Sequence, residues 1–191
     1  MLQELNALNE NIEHIKQVVS MQQSYSRVSG VTETLALDHL VEDALRINAA
    51  ALQRHQVQIV RQFAPVPPVN VDRHKVLQIL INLLSNAKYA MDKMNSLDRR
   101  LEIVIATGEP GRVAITVRDR GIGIAPENIT RIFQHGFTTR SEGHGFGLHS
   151  SANAAREMGG NLTARSEGAG QGAEFTLELP VANTAPLEEH T

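Results

Sequence analysis

Asn82 and Asn86 stand one helical turn apart in the run Asn82-Leu83-Leu84-Ser85-Asn86. An amide oxygen is a hard, neutral ligand suited to Mg2+, which keeps several waters and is shared with phosphate oxygens. Paired asparagines also serve as plain surface or capping residues. Further on, Asp119-Arg120-Gly121-Ile122-Gly123-Ile124-Ala125-Pro126 sets a carboxylate before two glycines. The carboxylate can accept a hydrogen bond from an amine such as the exocyclic one of adenine, and the glycines leave room for a flat base. Taken alone, the run also suits a glycine turn closing a hairpin. A third run, Gly143-His144-Gly145-Phe146-Gly147-Leu148, leads straight into a helix. Free N–H groups at a helix start, exposed by glycines and aided by the helix dipole, attract anions. Its spacing is neither that of a dinucleotide fingerprint nor that of a P-loop. Gly168, Gly170 and Gly172 repeat the spacing before a strand and read as a plain turn. Between the second and third runs lie Phe133 and Phe137, which could pin a cover, followed by Thr138, Thr139 and Arg140, a cation able to meet phosphate. A lid is expected there, an ordinary surface loop being the alternative.

These residues need elements to hold them. Leu5, Leu8, Ile12, Ile15 and Val19 alternate in steps of three and four, the seam of a bundle or coiled-coil helix seeking a partner, or of a helix packed on its own domain. After a break at Ser29 and Gly30, Asp38 is expected to cap a helix running to about Arg54. Val57, Ile59 and Phe63 alternate as a strand ended by Pro65, Pro67 and Pro68. Asp72 then caps a long helix with a core stripe of Val76, Leu80, Leu83, Leu84, Ala87, Met91 and Met94, while Asn82, Asn86 and Lys93 share another face. Leu101, Ile103 and Ile105 pair as a hairpin with Val113, Ile115 and Val117, and Asp119 has the parity of the apolar face, where a carboxylate is costly unless something donates to it. Leu148 to Met158 reads as a helix closed by Gly159 and Gly160, and two more strands surround the turn at Gly168 to Gly172.

Composition narrows the classes. A chain of 191 residues suits one main domain and an additional helix. Hydrophobic residues make up 41% and charged residues 20%, and no apolar run approaches the roughly 18 residues of a bilayer span. A net charge of -3 and 4% aromatics without Trp argue against nucleic acid as a partner. The absence of cysteine excludes disulfides and thiolate metal sites and fits a reducing cytoplasm. Met1-Leu2-Gln3-Glu4 does not begin a secretory leader, and a membrane-anchored parent protein remains compatible with these features.

The order of the Asn pair, the Asp-x-Gly-x-Gly turn, the Phe-containing loop and the Gly-x-Gly-x-Gly helix start resembles the N, G1, F and G2 boxes of the histidine-kinase branch of the GHKL ATP-binding superfamily. The resemblance spans about residues 36 to 180. It implies an α/β two-layer sandwich of Bergerat type, a mixed sheet of about five strands and about three helices, preceded by a bundle-type helix. It also implies ATP and Mg2+ as cofactors. Asn86 would hold the metal, Asp119 would read adenine above a floor of Gly121 and Gly123, and Gly143, His144, Gly145, Phe146, Gly147 and Leu148 would wrap the phosphates. Asn82, Lys93, Thr138, Thr139 and Arg140 complete the expected nucleotide site. Tyr89 stands where the family often has a phosphate-touching Lys, so Lys93 is the expected substitute. His144 takes the place of a small residue, and Ala173 that of a frequent hydroxyl residue.

Related ATPases such as gyrase B subunits and heat-shock chaperones place a Glu four residues before the metal-holding Asn to activate water. Here that position is Asn82, and an amide cannot act as a general base, which favours phosphoryl transfer over hydrolysis. The expected organisation is a remnant helix of a dimerisation and phosphotransfer module over residues 1–30, an ATP-binding kinase domain over 31–181 and a flexible tail over 182–191. No histidine followed by an acidic and then a basic residue precedes the Asn pair, and His14 lies beside the apolar seam. The acceptor histidine is therefore expected on a missing helix of the same protein or its dimer mate, with a response regulator receiving the phosphoryl group next. A serine kinase of the anti-sigma type and a catalytically silent, ATP-responsive interaction module are the alternatives.

Overall fold

The computed structural model describes residues 31–94, 98–140, 143 and 145–182. The expected helix at 1–30, with His14, as well as His144 and the tail from residue 183, lie outside the described residues. The elements follow in the order β1 (Glu33–Leu35), α1 (Leu37–Arg54), β2 (Gln58–Phe63), β3 (Val69–Val71), α2 (Arg73–Met94), β4 (Arg100–Thr107), β5 (Arg112–Asp119), α3 (Gly147–Glu157), β6 (Asn161–Arg165) and β7 (Ala173–Pro180). Two short 3-10 turns, Pro126–Asn128 and Arg131–Phe133, bridge β5 and α3.

The main sheet has five strands in the order β2-β4-β5-β7-β6, parallel between β2 and β4 and antiparallel elsewhere. The mixed character follows from the connection between β2 and β4, which contains α2 and therefore returns the chain in the same direction. One face of the sheet is apolar. Leu101, Ile103, Ile105, Val113, Ile115, Val117, Phe175, Leu177 and Leu179 are buried against the helices, the side that alternation in β4 and β5 marks in the sequence. The opposite face carries polar ladders, including Thr116 against Thr176 at 3.1 Å and Arg118 bridging Glu102 and Glu174. A small sheet of β1 and β3, unforeseen in the sequence because each strand has three residues, accompanies it.

Helix α1 buries Leu37, Leu40, Val41, Ala44, Leu45 and Leu52. Its N-cap is the extended Ala36, without a side-chain cap, so Asp38 lies inside the first turn rather than capping it. An acid in that turn still complements the helix dipole. Helix α2 begins as expected: Asp72 Oδ1 accepts from the N–H groups of His74 at 3.0 Å and Lys75 at 3.3 Å. Its core stripe buries Val76, Leu80, Leu83, Leu84, Ala87 and Met91. Met94 departs from the stripe and is 38% exposed, since the last residue of α2 reaches toward the turn at Gly170 instead of the sheet.

Candidate functional site

Helix α2 is the spine of the site. Asn82, Asn86, Tyr89 and Ala90 recur at helical spacing on one side, and they meet three different segments of chain, Asn86 and Tyr89 sharing one. At Asn82, Nδ2 donates to Ser151 Oγ at 3.0 Å, and Oδ1 lies so near Gly147 that a Cβ there would stand 2.5 Å from it. The amide thus seats the start of α3 on α2, and Ser151 is buried. At Asn86, Oδ1 accepts a hydrogen bond from the Arg140 guanidinium, which also lies 4.1 Å from the centroid of the Tyr89 ring. At Ala90, the carbonyl accepts from Ile122 N–H at 3.1 Å, and a Cβ on Gly121 would stand 2.5 Å from the Ala90 backbone.

Asp119 ends β5 on the buried face and is 7% exposed. Its Oδ1 accepts from Gly121 N–H at 2.8 Å, and the Ala173 N–H also donates to the carboxyl. Among the described residues no cation pairs with it. Burial pushes the Asp119 carboxyl up to about 6, and the two backbone donors only partly offset that. A carboxylate kept in so dry a place would gain from one more donor.

The turn at Gly168 to Gly172, read from the sequence as a plain turn, clamps the loop after Asp119. Gly172 N–H donates to Gly121 O at 3.1 Å, Gly170 N–H donates to Ile122 O at 2.7 Å, and Ile124 N–H donates to Ser166 Oγ at 3.0 Å. Gly123 has φ +70, and a Cβ on it would lie 2.0 Å from Gly168 O. Glycine at 121 and 123 is therefore demanded by packing behind the loop. No local pattern marks Ser166 or the turn as part of the site, because their partners lie far upstream in the chain, for example Ile124 with a separation of 42.

The third run closes the site. The N-cap residue of α3, Phe146, makes no side-chain cap hydrogen bond, and the helix opens with Gly147, Leu148 and His149, whose N–H groups lack intrahelical partners as at any helix start. Gly145 has φ +71 and packs on the Gly136 carbonyl, tying the helix start to the Phe-containing loop. His149 reinforces that tie, with Nδ1 3.0 Å from Phe133 O and Nε2 3.1 Å from Asn153 Nδ2. Phe146 is 37% exposed, with the His135 ring 4.8 Å away, and Leu148 packs on the core. Thr138 Oγ1 accepts from Arg140 N–H at 3.1 Å, and a Cβ on Gly143 would stand 2.5 Å from the same oxygen. Thr138 and Thr139 are exposed. Arg140 is half-buried, and desolvation lowers its pKa from the usual guanidinium value. Lys93 is exposed, its Nζ 5.6 Å from the Tyr89 centroid.

No cluster of three or more His, Cys, Asp or Glu side chains suited to a metal ion occurs among the described residues. A cation at Asn86 would thus be held by one amide oxygen and by oxygens of a ligand, an arrangement suited to Mg2+. The Arg140 guanidinium on Asn86 Oδ1 is a stand-in positive charge at that oxygen.

Comparison with known proteins gives the family. The family described as histidine kinase-, DNA gyrase B-, and HSP90-like ATPase matches residues 71–183. The two-component sensor PprA of Pseudomonas aeruginosa is 35% identical over 97% of the chain, which spans 20% of that protein. The sensor histidine kinase ZraS of Escherichia coli is 32% identical over 81% of the chain and 34% of its own length. The chain thus spans about a fifth to a third of these relatives. Among solved structures, full-length ShkA in complex with AMPPNP has a TM-score of 0.76 and 25% identity, covering 94% of this chain and 38% of that one. The mycobacterial sensor histidine kinase MprB shares the fold, with a TM-score of 0.67 and 21% identity over 78% of this chain and 97% of that one. The chain therefore belongs to the histidine kinase-, DNA gyrase B-, and HSP90-like ATPase family, as a catalytic ATP-binding domain of the sensor histidine kinase kind.

Proposed function

We propose that this domain binds ATP with Mg2+ and passes the γ-phosphoryl group to a histidine on a phosphotransfer helix, from which a response regulator receives it. The observation that carries the reading is the convergence on one side of α2, where Gly147 at Asn82, Arg140 at Asn86 and Gly121 at Ala90 join three glycine-bearing segments. In this reading Asp119 accepts from the adenine amine, Asn86 gives an oxygen to Mg2+, and the first amides of α3 receive the phosphates. Bound MgATP supplies an activated phosphoryl group; the protein supplies alignment and charge, which is most of what such transfer requires.

Asn82 favours transfer over hydrolysis. Its amide is engaged with Ser151 and Gly147 and has no basic atom to offer a water. The test is to mix the chain with γ-labelled ATP and a separate helical hairpin carrying a phosphoacceptor histidine. Label on the hairpin as acid-labile, base-stable phosphohistidine, with little free phosphate, is expected, and none on His14. Rapid release of inorganic phosphate without labelled hairpin would instead identify a hydrolase.

A further inference from the structure

Resting on the nucleotide site just described, one contact has no counterpart among the box residues: the ring of Tyr89 beneath the Arg140 guanidinium. Tyr89 follows Asn86 by three residues on α2, so both side chains rise from the same side of the helix. The guanidinium lies 4.1 Å from the ring centroid, well inside the roughly 6 Å reach of a cation–π contact, and donates to Asn86 Oδ1. Its base is fixed as well. Arg140 N–H donates to Thr138 Oγ1 at 3.1 Å, Gly143 N–H donates to Arg140 O at 3.2 Å, and a Cβ on Gly143 would crowd Arg140 Cβ at 2.9 Å.

Arg140 differs from the half-buried Arg73 and Arg99 in what it faces. Arg99 pairs with Asp92 and Arg73 with Asp43, whereas among the described residues no carboxylate pairs with Arg140. A charge held on a neutral ring beside a neutral amide, with no carboxylate among the described residues paired to it, keeps its attraction for an anion. Lys93, the cation expected from the sequence to serve here, shares the same ring only at 5.6 Å and from an exposed position.

We propose that Tyr89 is a positioning residue whose ring holds Arg140 beside the metal-binding Asn86, so that the cation meeting the terminal phosphate of ATP comes from the loop before α3 and not from α2. Asn86 would hold Mg2+ when MgATP is bound, and the guanidinium would move from Oδ1 to a γ-phosphate oxygen while staying over the ring. The contact at 4.1 Å leaves room for that movement, since a cation within about 6 Å of the ring centroid is still attracted to the ring face. The arrangement makes affinity depend on the third phosphate.

The test compares MgATP and MgADP binding to the full 191-residue chain by calorimetry, with unfolding midpoints recorded for every variant. Tyr89→Ala and Arg140→Ala should each cut MgATP affinity about tenfold, the scale of a lost guanidinium–phosphate contact, with far less effect on MgADP. The double variant should be no weaker than Arg140→Ala alone. Tyr89→Phe should keep the preference for MgATP, and Tyr89→Lys should restore it to Arg140→Ala by returning a cation to the helix. Additive losses in the double variant, an unchanged preference in Tyr89→Ala, or a Tyr89→Phe as weak as Tyr89→Ala would overturn the inference while leaving the nucleotide site standing. Failure of the unaltered chain to bind MgATP would overturn both.

Discussion

Asp119 combines burial, backbone donors and the lack of a cation partner among the described residues in one carboxyl. Its folded pKa of about 6 lies above the ordinary 3.8, so its contribution to folding is fully present below the lower value and lost as pH rises through the higher one. Ionised Asp119 should therefore cost the nucleotide-free domain up to about 3 kcal/mol near neutrality. Asp119→Asn should match the original protein in urea unfolding near pH 4 and exceed it near pH 7, by an amount of that order. An equal stability gap at both pH values would show that the carboxyl is not the cause. Adenine binding, which adds a donor to the ionised form, should expel a proton between these pH limits. The same carboxyl was legible in the sequence because it closes an alternating apolar strand; the Tyr89–Arg140 stack was not, since 51 positions separate residues that no periodicity connects.

At the scale of elements, the hairpin of β4 and β5, the long α2 with its Asp72 cap and the glycine entry to α3 could be read from alternation, helical period and capping chemistry. Expectation failed where long-range packing decides. The turn at Gly168 to Gly172 looks ordinary along the chain, yet it holds the loop that follows Asp119. Gly172 has φ +69, and a Cβ there would lie 2.0 Å from Asp119 O, whereas Gly111, with φ +79, has nothing near its missing Cβ. Gly111→Ala should thus lose only the conformational term, about 1 kcal/mol. Gly172→Ala should lose that plus a steric cost of about 1–3 kcal/mol and should weaken nucleotide binding as well, because the backbone carrying Asp119 must shift. Equal losses for the two variants in denaturant titrations would contradict the clamp.

Across the whole molecule, the sheet presents one dry face and α2 is sandwiched between that face and the site. Its stripe buries Leu83, 0% exposed, while the adjacent Asn82 seats α3 and Asn86 meets Arg140. Core and site are therefore two sides of one helix, and damage to the first should reach the second. Leu83→Ala should cost about 2–5 kcal/mol of stability and broaden the nucleotide response, as followed by chemical denaturation with and without MgATP. The fold class was legible through the family resemblance that the ordered boxes carry, while hydrophobic alternation marked only which face of β4 and β5 is dry. Sheet order, the β1–β3 pair and the parallel β2–β4 edge were not, since pairing across long connections leaves no local mark.

The convergence of the three segments on a single adenine nucleotide is tested most directly by titrating MgATP into the original chain and into Asp119→Asn at pH 7 by calorimetry. One site per chain is expected in the former. No detectable binding is expected in the latter, although it should be the more stable protein when empty. Undiminished affinity in the Asn variant would contradict the account.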